Sequence, residues 1–193
     1  YDTDGWEPVI DLGAHPTETF YNLQPEVGHV AESIARPISV HTLDDGTTVA
    51  DFGKVIPASV IIHFPNGVAG TRLTIQEGYE LNDDGTINTS IQSTQHTNMT
   101  YVYVMKDGPQ TYEAWSYLGF RYVSVPAEAG PLTQDSFEAT VFHAEVVSGR
   151  ASSLDTSDEM LNRVFELMQR SALYSTQNQF VDTPTREKGQ FLV

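Results

Sequence analysis

The 193 residues are enough for one or two domains with a sizeable core. Ten Lys and Arg against 26 Asp and Glu leave a formal net charge of −16, which argues against a nucleic-acid partner because phosphates are held by basic side chains. The chain has no cysteine, so disulfides and thiolate metal sites are excluded, and no apolar run approaches the ~18 residues a membrane helix needs.

The chain opens on Tyr1-Asp2-Thr3-Asp4. These residues lack the basic and apolar regions of a secretion signal, so any such segment is expected to be removed or to lie upstream. Residues 1–36 are rich in Pro, Gly, Asp, Glu and His and carry no clear period. They read as the end of an upstream domain plus a linker, with a disordered N-terminal tail as the alternative. Asn88-Thr89-Ser90 and Asn98-Met99-Thr100 satisfy the N-glycosylation pattern, which favours a secreted protein, with a cytoplasmic one as the alternative.

From Pro37 the pattern becomes period two, broken by turn residues. Ile38–Leu43 alternates and meets Asp44-Asp45-Gly46, a hairpin signal. Val49–Gly53 and Ser59–Phe64 follow as two strand candidates, the second closed by Pro65-Asn66-Gly67. Thr71–Glu77 alternates, and Asn82-Asp83-Asp84-Gly85 turns the chain. That acidic turn lacks the twelve-residue loop and final Glu of a calcium hand. Thr100–Met105, Ala114–Tyr117, Phe120–Val125 and Ala139–Val146 complete the set. Short strands at this spacing, between Gly and Asn turns, predict an antiparallel β-sandwich over residues 37–150.

The period changes again near Ser153. Asp155, Thr156 or Ser157 is the expected helix cap, with Asp158 and Glu159 in the first turn, where the helix dipole favours negative charge. Leu161, Val164, Phe165, Met168 and Ala172 then recur at three- and four-residue spacing. A helix of about 15–20 residues with such a stripe needs a partner surface. It reads as the first helix of a helical domain spanning 151–193 and continuing beyond it.

Asp182-Thr183-Pro184-Thr185-Arg186-Glu187-Lys188-Gly189-Gln190-Phe191-Leu192-Val193 follows the helix. A carboxylate beside an Arg can accept from sugar hydroxyls, and a second one with a raised pKa can protonate a leaving oxygen. On composition alone this is more often a solvated loop with a plain salt bridge. The stretch resembles the Asp-Cys-Pro-x-Arg-Glu-Lys-Gly-Gln-Trp-x-Gly-Asp signature of the inverting α-L-rhamnosidases of six-hairpin type. Three earlier stretches resemble the same family in order. Asp51-Phe52-Gly53-Lys54-Val55-Ile56-Pro57-Ala58-Ser59-Val60 is similar to an Asp-Phe-Gly-Gln-Asn-x-x-Gly-Trp-Val strand, though without its Gly-Trp pair, and Trp115-Ser116-Tyr117-Leu118-Gly119-Phe120-Arg121-Tyr122-Val123-Ser124-Val125 to a Phe-x-Tyr-His-Gly-Phe-Arg-Tyr-Val-x-Val stretch. Asp158-Glu159-Met160-Leu161-Asn162-Arg163-Val164 looks like the family's Asp-Pro-Leu-Leu-Asn-Arg-Ile helix start.

The resemblance implies a β-sandwich followed by the start of an (α/α)6 catalytic barrel. It also implies release of terminal α-L-rhamnose from glycosides or polysaccharides with inversion, without a cofactor or metal. Carried over by position, Glu187 is the general acid. Asp182 and Arg186 contact the sugar hydroxyls, and Phe191 offers an aromatic face. Inversion also needs a general base on the opposite side of the ring. That base is expected in the remaining part of the same enzyme, so this chain alone should be inactive. Thr183 replaces the usual Cys, Phe191 the Trp and Val193 the Gly, which leaves another deoxy sugar or a uronate open as the substrate. The rival reading is a non-catalytic carbohydrate-binding sandwich presenting Trp115, Tyr117, Phe120 and Tyr122. The six histidines show no metal-ligand spacing, and no nucleophile elbow or phosphate loop is present.

Overall fold

The structure, a computed structural model, describes residues 4–21, 25, 29–145 and 152–190. It is mainly β, as the period-two pattern predicts, with one long helix after the strands. The strands are β1 (Val30–Ala35), β2 (Ser39–Thr42), β3 (Thr48–Phe64), β4 (Arg72–Gly78), β5 (Thr100–Val104), β6 (Gln110–Glu113), β7 (Leu118–Val125) and β8 (Phe137–Ala144). The helices are α1 (Ile91–Thr94) and α2 (Glu159–Tyr174).

All strand pairs are antiparallel, in the order β1-β8-β3-β7-β4-β5, with β2 and β6 added along β3. The long strand β3 makes this possible. Its first part lies between β2 and β7, and its last part between β8 and β6. The two strand candidates at Val49–Gly53 and Ser59–Phe64 are therefore one strand, bent in the middle. The register against β7 shifts between Asp51 and Ile56. Gly53 sits there at φ 78°, and its amide donates to the Asp51 carboxylate at 2.6 Å. Such a bulge bends a strand and increases its twist, so the sheet curls and its apolar faces meet.

Phe120, Phe137, Ile62, Val60, Leu73 and Ile75 are sealed in the resulting core. Phe52 meets Phe120 edge to face, with ring centroids 5.5 Å apart. Tyr103 of β5 stacks on Phe64 at the end of β3 and touches Tyr112 of β6, which closes the curl on its open side.

Three details differ from the sequence expectations. Ala114–Tyr117 is a connecting bend rather than a strand; pairing with β3 ends on β6, apart from an Ala114 amide bond to the Val60 carbonyl. Asp158, not Asp155, Thr156 or Ser157, caps α2, because its carboxylate accepts from the Met160 and Leu161 amides. Thr156 instead ties the approach to Asn162. Within residues 1–36, Val30–Ala35 forms β1 on the sheet edge. An edge strand leaves most of its side chains in water, which is why Val-Ala-Glu-Ser-Ile-Ala carries no clear alternation.

The turns at Asp44–Gly46 and Asn82–Gly85 form as expected, each closed by a backbone bond from its glycine (to Leu43 and Asn82). The helix α2 buries none of its residues, and Met160, Leu161, Val164, Leu167 and Met168 are exposed. It meets the sheet alongside β8 and through Tyr174, which packs against the core. Among the described residues no helix is long and apolar enough to cross a membrane.

Candidate functional site

After α2 the chain turns back to the sheet through Val181, which is buried, and closes a compact loop over Asp182–Gly189. The Asp182 amide donates to the Gly189 carbonyl at 3.3 Å and the Thr183 amide to the Glu187 carbonyl at 3.1 Å. Thr183 Oγ1 accepts from the amides of Arg186 and Glu187 at 3.1 and 3.2 Å. A hydroxyl at position 183 thus organises the loop, where a thiol would be a much weaker acceptor.

Three anchors fix this loop to β4 and β7. Thr185 is buried and exchanges hydrogen bonds with Gly119, accepting from its amide at 3.1 Å. The Thr185 hydroxyl also bonds the Tyr79 hydroxyl. Pro184 lies flat on Gly119, where an added Cβ would stand 2.7 Å from the proline Cγ. Only glycine admits the loop there. Lys188 Nζ donates to the Tyr117 carbonyl and to Ser116 Oγ, and lies 4.3 Å from the centre of the Tyr117 ring.

The motifs that the sequence reading singled out separately therefore meet in space. Asp51 accepts a bidentate pair from Arg121, at 2.8 and 2.9 Å, which holds the Asp51 carboxyl below the usual carboxylate range against its partial burial. That pair locks the bent part of β3 to β7. The neighbouring Gly119 then receives the loop.

Glu187 points away from this platform. Its side chain is 54% exposed and pairs with Arg186 at 3.1 Å. Asp182 is exposed too. Glu187, Asp182 and Arg186 are thus carried by one loop, but nothing among the described residues desolvates the Glu187 carboxyl. Phe191 lies outside the described residues. The charge of Lys188 is directed at the sheet rather than at Glu187, whereas that of Arg186 stays with it.

Beneath the loop lies a feature the sequence reading missed. Glu77 is fully buried, and neither carboxylate oxygen finds a hydrogen-bond partner among the described residues. Burial pushes its carboxyl well above the ordinary range, with the Lys188 ammonium opposing that effect. Burial likewise lowers Lys188, and Glu77 opposes it. Tyr101 and Tyr112 are pushed up by burial and then by Glu77. The signal was present in the alternation. Leu73, Ile75 and Glu77 fall on one strand face, so a core position was already assigned to an acid.

A cleft of about 470 Å³ opens beside the loop, between Thr183, Thr185 and Arg186 on one side and the α1 region on the other. Among the described residues no group of three His, Asp or Glu gathers as a metal site.

Comparison with known proteins identifies the fold. An α-L-rhamnosidase of Streptomyces avermitilis is 30% identical over 148 residues, which is 74% of this chain and 14% of the relative. The solved α-L-rhamnosidase of Dictyoglumus thermophilum superposes with a TM-score of 0.69 at 26% identity, over 83% of this chain and 18% of that one. That of Streptomyces avermitilis, complexed with L-rhamnose, gives 0.68 at 28% identity, over 83% and 16%. The chain thus spans less than a fifth of the length of these glycoside hydrolases. The family model of the bacterial alpha-L-rhamnosidase concanavalin-like domain matches residues 41–143. With more than half of its length matched, and with the curled sheet of the solved relatives, this chain belongs to that family.

Proposed function

We propose that this chain supplies the β-domain and the acid-bearing loop of an enzyme that releases terminal α-L-rhamnose from glycosides or polysaccharides with inversion. Glu187 is the general acid, Asp182 and Arg186 bind the sugar hydroxyls, and Phe191 provides the aromatic face. The general base comes from another part of the enzyme, and these 193 residues alone do not turn over.

The observation that carries this reading is the docking of residues 183–188 on Gly119 and Tyr117. Three side-chain anchors hold the loop while Glu187, paired with Arg186, stays more than half exposed to solvent. A loop merely solvated at a surface has no need of such fixation, whereas a proton donor must be held in place. The remaining helices of the barrel would cover the exposed stripe of α2 and shield Glu187 from water.

The test uses the enzyme in which these residues precede a catalytic barrel. Glu187→Gln lowers kcat on an alkyl rhamnoside by about 10²–10⁴-fold, and NMR of the reaction detects β-L-rhamnose first. Retained activity, or the α-anomer appearing first, overturns the reading.

One observation favours a second reading, a non-catalytic sugar-binding module. Trp115 is 87% exposed beside the Lys188 anchor, with its ring edge-on to Tyr101. Phe120, by contrast, is sealed in the core and cannot belong to a platform. Rhamnose binding lost in Trp115→Ala but kept in Asp182→Ala and Glu187→Ala, followed by tryptophan fluorescence, selects the module.

A further inference from the structure

The cleft beside the loop is lined on one side by Asn88, Gln92, Ser93 and Gln95, and on the other by Thr183 and Arg186. Its volume, about 470 Å³, lies in the range of small-molecule sites. The lining is dominated by amides and hydroxyls, each able both to donate and to accept. This is the chemistry that vicinal sugar hydroxyls match. Ser93 Oγ is buried without a hydrogen-bond partner among the described residues, so the wall holds an unmet polar group as well as solvent-facing amides. Tyr79 is the one ring of the lining, and its hydroxyl is committed to Thr185. Arg186 is paired with Glu187, and Glu80 adds a negative charge, so an anionic ligand finds no free cation there.

We propose that this cleft is the subsite for the leaving-group side of the substrate, and that it takes a neutral sugar rather than a flat aromatic aglycone. The inference rests on the reading of Glu187 given above. Arg186 forms part of the cleft wall and pairs with Glu187 at 3.1 Å, so one ion pair separates the proposed acid from a sugar held in the cleft. Gln95 and the adjacent His96 both hold left-handed backbone, at φ 50° and 65°. Such conformations cost energy for side chains other than Gly and gather at ligand clamps. They end α1 abruptly and leave the Gln95 amide at the cleft wall.

Binding is measured first, on the 193-residue chain, so that no catalysis is required. A rhamnosyl-glucose disaccharide titrated against it shifts the side-chain amide resonances of Asn88, Gln92 and Gln95, and p-nitrophenol does not. Gln92→Ala weakens that binding by about tenfold, the loss expected for one hydrogen bond. In the enzyme bearing a barrel, Gln92→Ala lowers the ratio of kcat/KM for the disaccharide over the aryl rhamnoside by about the same factor. Amide resonances that stay still under the disaccharide, or a ratio that does not move, overturn the subsite. Glu187→Gln separates the two readings. If that variant keeps full activity the proposed acid is wrong, while the amide shifts still decide the cleft.

Discussion

The curled sheet and the C-terminal segment, residues 152–190, solve the same folding problem to different degrees. The sheet seals a dozen large side chains completely and closes its own open side with Phe64, Tyr103 and Tyr112. The segment after it buries no residue of α2 and is held at a few points, among them Tyr174, Val181, Thr185, Pro184 on Gly119, and Lys188. The difference teaches which part carries stability and which part presents chemistry. A core is stabilised by area removed from water, whereas this loop is fixed by a few side chains turned toward the sheet and leaves Asp182, Arg186 and Glu187 outward.

The largest expected effect lies in the sheet. Phe120→Ala, at a fully buried site in edge contact with Phe52, costs about 3–5 kcal/mol in denaturant unfolding. A loss below about 1 kcal/mol would remove the contrast between the two regions.

The next concerns Glu77, where the regions communicate. Its folded-state pKa is raised above the unfolded value, so the native state holds the proton more tightly, and stability falls as pH rises from the ordinary carboxylate range toward the folded value. Glu77→Gln abolishes that loss. It raises the melting temperature at pH 8 by about 2–4 °C, as ~1 kcal/mol does for a chain of this size, and gives no gain at pH 4. A variant that melts lower at pH 8 would mean that Lys188 compensates an ionised Glu77 in full.

The smallest effect is on α2. Leu161→Ser, on the exposed stripe, changes the stability of this chain by less than ~0.5 kcal/mol. A larger loss in the same unfolding experiment would show that the helix packs on the sheet along its length.

Much of the fold was legible because a half-buried strand and an amphipathic helix each write their period into the chain. Residues 38–43, 71–77, 100–105 and 120–125 alternate, and the elements form there. The segment at Ala114–Tyr117 was misread because its aromatics resemble a strand's, while Trp115 in fact projects into water and Tyr117 serves as the Lys188 anchor. The helix cap was misplaced by one to three residues because Asp155, Thr156, Ser157 and Asp158 can all cap, and only the local bonding selects one. The loop's charge pattern marked Asp182, Arg186 and Glu187. Nothing local marked Tyr79 or Thr185, whose roles arise from a contact across 106 positions of sequence.

Sequence by itself determined the antiparallel class, the change to helix near residue 158 and the charged loop after it, since these follow from neighbouring side chains and their spacing. Only the tertiary structure decided that β3 is one bent strand joining both parts of the sheet, that Gly119 is the seat of the loop, and that Glu77 lies beneath it with no hydrogen-bond partner among the described residues. Each of those depends on which distant groups share a small volume, and a residue's own type and neighbours do not specify that.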